Sequence, residues 1–103
     1  MEHQKNALVT GGATGIGRSA VIALAKAGFD VAINYSSSAH RAEQLAQEVR
    51  AIGRRASTHQ CDVSDDDAVK SMIASVAAQF GHLDALVNNA GTTAPWKLRS
   101  EEH

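Results

Sequence analysis

The sequence is poor in cysteine, has no excess of charge of either sign and contains no long apolar run. Cys61 is the only cysteine among 103 residues, so an internal disulfide is excluded and a reducing, cytoplasmic location is expected. The net charge is −1, and without a block of like charges neither nucleic acid nor an anionic membrane is an expected partner. No apolar stretch approaches the ~18 residues of a membrane span, and the first residues lack the apolar core of a signal peptide.

Short apolar runs alternate with stretches of helical periodicity along the chain. The apolar runs predict four strands, and the three stretches between them predict helices. Strands are expected at residues 6–10, 30–35, 54–62 and 83–88, of which the third has the weakest apolar pattern. Each expected helix is followed by a glycine, at position 28, 53 or 81, which suits a left-handed end. Strict alternation favours right-handed βαβ units and a parallel sheet. The fold class is therefore α/β, with strand order 3-2-1-4, half of a Rossmann doubly wound sheet.

The spacing of apolar residues also predicts which side of each helix is buried. The first two helices are expected on one face of the sheet and the third on the other, because right-handed crossovers reverse direction there. Ser64 is expected to cap the third helix, with three aspartates after it near the positive end of the helix dipole. The predicted buried faces are Ile16, Ala20, Ala23, Leu24 and Ala27 in the first helix, Ala42, Leu45, Ala46, Val49 and Ile52 in the second, and Val69, Met72, Ile73, Val76 and Phe80 in the third.

A glycine-rich turn separates the first strand from the first helix. A pyrophosphate needs backbone N–H groups at a helix N-terminus and no Cβ atoms where it approaches. Gly11 would allow the tight turn, Gly15 the close approach, and Gly17 the packing of the helix on the sheet. The spacing is G-x-x-x-G-x-G, not the commoner G-x-G-x-x-G, and a purely structural turn is the alternative interpretation. Its position between an apolar strand and an amphipathic helix favours nucleotide binding.

Three motifs together resemble the N-terminal half of a short-chain dehydrogenase/reductase, over about residues 6–94. They are the glycine turn at residues 10–17, Asp62-Val63 after the third strand and the Asn-Asn-Ala-Gly sequence at 88–91. The resemblance implies that Asp62 and Val63 line the adenine pocket, the carboxylate accepting from the exocyclic amine. Alternatively, Asp62 is a capping or turn residue and Asn88 is a buried amide with its hydrogen bonds satisfied, and both structural roles are compatible with contact to a ligand. The resemblance further implies cofactor contacts at Gly11, Thr14, Gly15, Ile16 and Gly17. Residues 88–91 would brace the central strands and border the adenosine ribose, with Asn89, Ala90 and Gly91 as cofactor-binding candidates.

The end of the second strand bears on the choice of cofactor. NAD-preferring relatives usually carry an acid there, which repels a 2′-phosphate, but this sequence has Tyr35 surrounded by uncharged groups. NADP(H) is therefore favoured over NAD(H), with Asn34, Tyr35, Ser36 and Ser37 as cofactor-binding candidates. The basic residue that many NADP-dependent members carry before the second motif glycine is replaced by Thr14. Arg41 or Arg18 would compensate for it, unless each is simply a solvated helix residue.

No catalytic residue and no metal ligand is identified. The family's proton donor is a tyrosine followed four positions later by a lysine, whereas Tyr35 is followed by Ala39 and Lys97 has no partner tyrosine. Without a positioned acid, a carbonyl substrate would lose proton transfer and stabilisation of its alkoxide. The five histidines are scattered, with no spacing that suits zinc. We therefore expect an oxidoreductase portion that binds a dinucleotide but does not catalyse hydride transfer alone.

The sequence is expected to form a truncated domain. Residues 1–95 would be a partial NAD(P)-binding Rossmann domain, and residues 96–103 an irregular or non-native tail. One helix cannot cover a whole face of a four-stranded parallel sheet, and the fourth strand would present an open edge. Self-association through that face or edge is the expected consequence. The alternative functions are a stand-alone, non-catalytic nucleotide-binding module and an oligomer-forming module. The substrate cannot be inferred.

Overall fold

Three apolar runs and the more polar segment at residues 56–60 form the strands of one parallel sheet. The computed structural model describes residues 4–89. The strands are β1 (Asn6–Thr10), β2 (Asp30–Tyr35), β3 (Ala56–Gln60) and β4 (Ala85–Asn88), and the helices are α1 (Gly15–Lys26), α2 (Ala39–Ile52) and α3 (Asp66–Phe80). The strand order is β3-β2-β1-β4, and every neighbouring pair is parallel. The predicted fold class and order are confirmed, although β3 and β4 are shorter than the apolar runs that predicted them.

Two apolar cores lie on opposite faces of this sheet. Successive strand residues point to opposite sides, so Val9 packs in the core formed with α1 and α2, and Leu8 packs in the core formed with α3. The first core is the larger, because two helices contribute to it. The second contains Val69, Met72, Val76 and Phe80 of α3, packed with Leu8, Ala32 and Cys61. The predicted placement of the helices on the two faces is therefore correct.

The buried face of α1 differs from the prediction. The fully buried positions are Gly17, Val21 and Ala25, whereas Ile16 is 79% exposed and Ala23 is also exposed. The buried side of α1 is therefore rotated about the helix axis, onto the stripe of residues next to the predicted one. The physical reason is the contact of Gly17 with the glycine turn, described below, which fixes the rotation of α1 about its axis.

The other two helices bury the faces that their spacing predicts. In α2 the first four positions of the predicted face are buried, but Ile52, in the last turn, is 39% exposed. The cap of α3 differs from the prediction. The N-cap is Asp65, whose side chain accepts from Ala68 N at 3.1 Å. Ser64 instead donates to Asp62, because these two residues form a local turn before the helix begins.

Candidate functional site

The predicted site residues collect along the carboxyl edge of the sheet. The strand order changes direction at β1, which lies between β2 and β4. In open parallel sheets ligands bind in the crevice outside the carboxyl ends of the strands at such a switch point. The glycine turn leaves β1 there, Tyr35 ends β2, and Asn89 follows β4. The fold therefore brings three separate sequence motifs to one edge. Ala90 and Gly91 lie outside the described residues.

Asn34 joins the glycine turn to the two strands beside it. Its side chain is only 2% exposed, and its Oδ1 accepts a hydrogen bond from Gly11 N at 3.1 Å. Its Nδ2 donates to His59 O and to Cys61 O, each at 3.2 Å. Gly12 N also donates to the Asn34 backbone carbonyl at 3.0 Å. Asn34 was predicted to contact the cofactor directly. Because both ends of the buried amide are already bonded to backbone, its side chain holds the turn in place.

Thr10 and Asn89 hold the other side of the turn. Thr10 is fully buried, and its hydroxyl donates to Asn88 Oδ1 at 3.0 Å while accepting from Asn89 N at 3.0 Å. The Asn89 side chain then reaches back to Gly11, with Nδ2 donating to the carbonyl at 3.3 Å. Both polar groups of the Gly11 backbone are thus fixed by asparagine side chains, one from β2 and one following β4.

Close approach explains the glycine at position 17, and backbone conformation explains the one at 15. A Cβ on Gly17 would lie 2.7 Å from Asn89 Nδ2 and closer still to Gly11 O, so any side chain would push α1 off the turn. Gly15 has a φ of +59°, a region that residues other than glycine rarely adopt. Nothing lies within 4 Å of the position its Cβ would take. The start of α1 therefore presents open space above backbone N–H groups, as a phosphate site requires.

Exposed residues surround this space. Thr14 is the N-cap of α1, yet its side chain makes no cap hydrogen bond, and the first turn of α1 carries no acid. Ile16 exposes most of its apolar side chain to solvent. At the end of β2, Ser36 and Ser37 are exposed, while Tyr35 is partly buried against the core shared with α1 and α2. The rim is thus uncharged near β2.

Asp62 and Val63 follow β3 at the same edge. Asp62 is exposed, and its Oδ1 accepts from Ser64 Oγ at 2.7 Å and from Ser64 N at 2.9 Å. These hydrogen bonds, the side-chain one first, lower the pKa of the Asp62 carboxyl. Val63 is partly buried against the α3 core. Asp62 is therefore a turn residue through Oδ1, as the alternative interpretation predicted. Within residues 4–89, Oδ2 accepts no hydrogen bond, so it can accept one from a ligand.

A groove of about 340 Å³ runs from the glycine turn between α1 and α2. Arg18 of α1 crosses it to Glu48 of α2, with the guanidinium Nη2 at 2.6 and 2.7 Å from the two carboxylate oxygens. Arg41 lines the same groove from the first turn of α2. Residues 4–89 contain no carboxylate paired with Arg41.

The described part of the chain contains no group of three or more histidine, cysteine or acidic residues that could hold a metal ion. Tyr35, the only tyrosine of the sequence, lies at the end of β2, with its side chain partly buried against the α1–α2 core. Between residues 4 and 89, no helix is long and apolar enough to cross a membrane.

Comparison with known proteins gives the class to which this fold and site belong. The family model for short chain dehydrogenase matches residues 5–102. The 3-oxoacyl-[acyl-carrier-protein] reductase FabG of Staphylococcus aureus strain Mu50 is 50% identical over 93 residues, which are 90% of this chain and 38% of that protein. The chain belongs to the short-chain dehydrogenase family.

Two solved structures extend the likeness to the fold. A short chain dehydrogenase from Burkholderia cenocepacia J2315, in complex with NADP, has a TM-score of 0.84 and 47% sequence identity, covering 93% of this chain and 39% of that one. A second B. cenocepacia dehydrogenase, with bound NADP, has a TM-score of 0.78 and 36% identity, covering 82% and 33%. The chain thus spans less than half the length of these relatives. The family resemblance inferred from the three motifs is confirmed.

Sequence reasoning missed two residues that shape the site. Thr10 was predicted as the end of a strand and the first residue of the glycine motif, without a role for its side chain, yet its hydroxyl ties β1 to Asn88 and Asn89. Its position after three apolar residues and before the turn is a signal, because a buried hydroxyl at a strand end needs partners. Glu48 was not singled out, and nothing in the sequence marks it, since its partner Arg18 lies 30 positions away on another helix.

Proposed function

We propose that this chain binds NADP(H) in the crevice at the carboxyl ends of β1 and β4, as the nucleotide-holding portion of a short-chain dehydrogenase. The observation that carries this proposal is the glycine turn held open by Asn34 and Asn89, with unobstructed space above Gly15. A relative whose fold superposes on 93% of the chain contains NADP, which supports the same ligand here.

The phosphates would lie at the start of α1. Thr14 and Gly15 are exposed there, no acid in the first turn opposes a negative charge, and the helix dipole favours one. Gly11 and Gly17 keep this turn compact. Ile16 would pack against the ligand, because an exposed isoleucine gains roughly 1.5–3 kcal/mol when it is fully buried. These five residues are the phosphate-side contacts that we propose.

The adenosine would extend across the ends of β2 and β3. Asp62 would accept from the exocyclic amine through Oδ2, and Val63 would contact the adenine ring. Tyr35, Ser36 and Ser37 would border the ribose from β2, and Asn89, Ala90 and Gly91 from β4. Asn34 would act beneath them by holding the turn. The absence of a carboxylate at residues 35–37 supports NADP(H) over NAD(H), because two exposed serine hydroxyls can donate to a 2′-phosphate that an acid would repel.

NADP(H), when bound, supplies or accepts a hydride. The part of the reaction that this chain's residues perform would be binding and orientation of the adenosine and pyrophosphate. Tyr35 would not serve as a proton donor, because it lies at the adenosine end and has no lysine four positions later. We therefore propose that the chain alone does not reduce carbonyl compounds. A steady, protein-dependent loss of NADPH with an aldehyde or ketone would contradict this part of the proposal.

Self-association is the second part of the proposal. In the described residues β4 has one sheet neighbour, and its Ala85, Leu86 and Val87 are only partly buried. A parallel sheet is stable when both faces are covered, and α3 is the only described helix on its face. Sedimentation velocity over a hundredfold concentration range would test this. We expect a mass above that of a monomer, and a monomer at every concentration would contradict it.

Nucleotide binding is tested by titrating the chain with NADPH and NADH in a calorimeter. We expect saturable binding with a Kd near micromolar, about −8 kcal/mol, and tighter binding of NADPH. The matched variants are Gly15→Ala and Gly53→Ala, since both glycines have positive φ and open space at the Cβ position. Both variants should lose similar stability, but only Gly15→Ala should lose nucleotide affinity, by tenfold or more. Equal affinities in the two variants would contradict a phosphate site at Gly15.

A further inference from the structure

Two arginines line the groove beside the glycine turn, and their surroundings differ. Arg18 is held by both oxygens of Glu48 at 2.6 and 2.7 Å, while Arg41 has no paired carboxylate in residues 4–89. The pair of Arg18 with Glu48 is about half exposed, so its contribution to stability is small. The pairing nonetheless neutralises the charge of Arg18, because the guanidinium and the Glu48 carboxylate have opposite charges. The pair therefore offers no net attraction for a phosphate.

Arg41 keeps its charge available for a ligand. It lies in the first turn of α2, where no acidic residue is present and where the N-cap Ser38 makes no side-chain cap hydrogen bond. The same groove is lined by Thr14 and Gly15 at the start of α1. Arg41 is therefore the one uncompensated cation among the residues that line this groove in the described chain.

We infer that Arg41 is the residue that recognises the 2′-phosphate of NADP(H), and that Glu48 withholds Arg18 from this role. The inference rests on the proposed nucleotide site and adds the cation that distinguishes the phosphorylated from the unphosphorylated cofactor. A guanidinium suits this task because its planar set of donors matches phosphate oxygens. The serine hydroxyls at the end of β2 would complete the subsite with neutral donors.

The test measures binding of NADP⁺ and NAD⁺ to the unmodified chain and to three variants, by calorimetry. Arg41→Gln should weaken NADP⁺ binding by about tenfold or more and change NAD⁺ binding less than about twofold. Replacing both members of the opposite pair, Arg18→Gln with Glu48→Gln, leaves the net charge of the groove unchanged and should change either affinity less than about twofold. Arg41→Lys should retain part of the NADP⁺ preference, because it keeps the charge without the planar donors.

The ratio of the two affinities separates recognition from a general loss of structure, since a misfolded groove weakens both cofactors together. An unchanged ratio in Arg41→Gln, or a ratio that falls as far when Arg18 and Glu48 are both replaced by Gln, would overturn the inference. If the unmodified chain binds neither cofactor, the proposed function itself fails. If it binds NADP⁺ normally and Arg41→Gln leaves the ratio intact, only the inference about Arg41 fails.

Discussion

Replacing Asn34 by aspartate tests whether its buried amide holds the glycine turn. The substitution keeps the size of the side chain and the acceptor for Gly11 N, but it replaces the Nδ2 donor by oxygen. His59 O and Cys61 O, each 3.2 Å from Nδ2, would lose their donor. Leaving a buried carbonyl unpaired costs about 1–3 kcal/mol. Of the two bonds only the one to Cys61 O is buried, so the predicted loss near pH 7 is roughly 1–3 kcal/mol. Small domains have only about 5–15 kcal/mol in total.

The pH dependence of this loss gives the sharper test. Burial and the facing carbonyls would disfavour the charged carboxylate and raise its pKa in the folded state above the unfolded value of about 3.9. The unfolded chain then releases its proton first, so the penalty of Asn34→Asp grows as pH rises above about 4 and becomes constant above the folded pKa. At low pH the protonated acid can still donate one hydrogen bond, and the variant should then be closest to the unmodified chain.

The assay is urea unfolding of both proteins at pH 4.5 and pH 7, with the difference in unfolding free energy taken at each pH. Gln47→Glu is the control, because it makes the same chemical change on the exposed side of α2. The added charge near Glu43 should cost only about 0.2–0.5 kcal/mol at either pH. A loss below about 1 kcal/mol for Asn34→Asp at pH 7, or one equal at both pH values, would refute the assigned hydrogen bonds.

Three further predictions follow from the surroundings of single residues. Gly17→Ala places a methyl group against Gly11 O and Asn89 Nδ2. It should lower the free energy of unfolding by about 1–3 kcal/mol, measured by denaturation, and weaken NADPH binding, measured by calorimetry. An unchanged unfolding free energy would contradict the close contact. Asp65→Ala should lower the free energy of unfolding by about 1 kcal/mol, because it removes the cap of α3. Ser64→Ala should instead raise the pKa of Asp62 in an NMR titration. A loss of stability in Ser64→Ala but not in Asp65→Ala would identify Ser64 as the cap. Burial first, and then the nearby Asp65 and Asp62 carboxylates, raise the pKa of the Cys61 thiol, so at pH 7.5 it should react with iodoacetamide more slowly than a free cysteine; an equal rate would contradict its burial.

The fold was predictable from the sequence because its signals are local and repeated. Apolar runs, helical spacing and a glycine after each helix all indicate the same alternation, and the handedness of crossovers then fixes the faces. The motif positions were also predictable, since the carboxyl ends of parallel strands meet at one edge. The confirmed strand order and the family match both depend on such short-range features.

Features that depend on three-dimensional contacts were not predictable. The rotation of α1 is set by Gly17 against Gly11, so counting apolar residues selected the wrong stripe and placed Ile16 in the core. The direction of the Asn34 side chain, inward to backbone instead of outward to solvent, depends on the positions of β3 and the turn. The choice between Ser64 and Asp65 as the cap depends on the turn that Asp62 and Ser64 form just before α3. The pairing of Arg18 with Glu48 requires two helices to be adjacent.

Hydrogen bonds from side chains to the main chain hold both polar groups of Gly11 in the glycine turn. Asn34, Asn89 and Thr10 hold backbone atoms, and these bonds do not depend on the side chains at the rim. The groups that would distinguish one dinucleotide from another, the serines after β2 and Arg41, lie outside this scaffold and are exposed. The residues that hold the turn are therefore different from the residues that would discriminate between cofactors. If the proposed site is correct, an acid at position 36 together with removal of Arg41 would change the cofactor preference and leave the hydrogen bonds of the glycine turn intact.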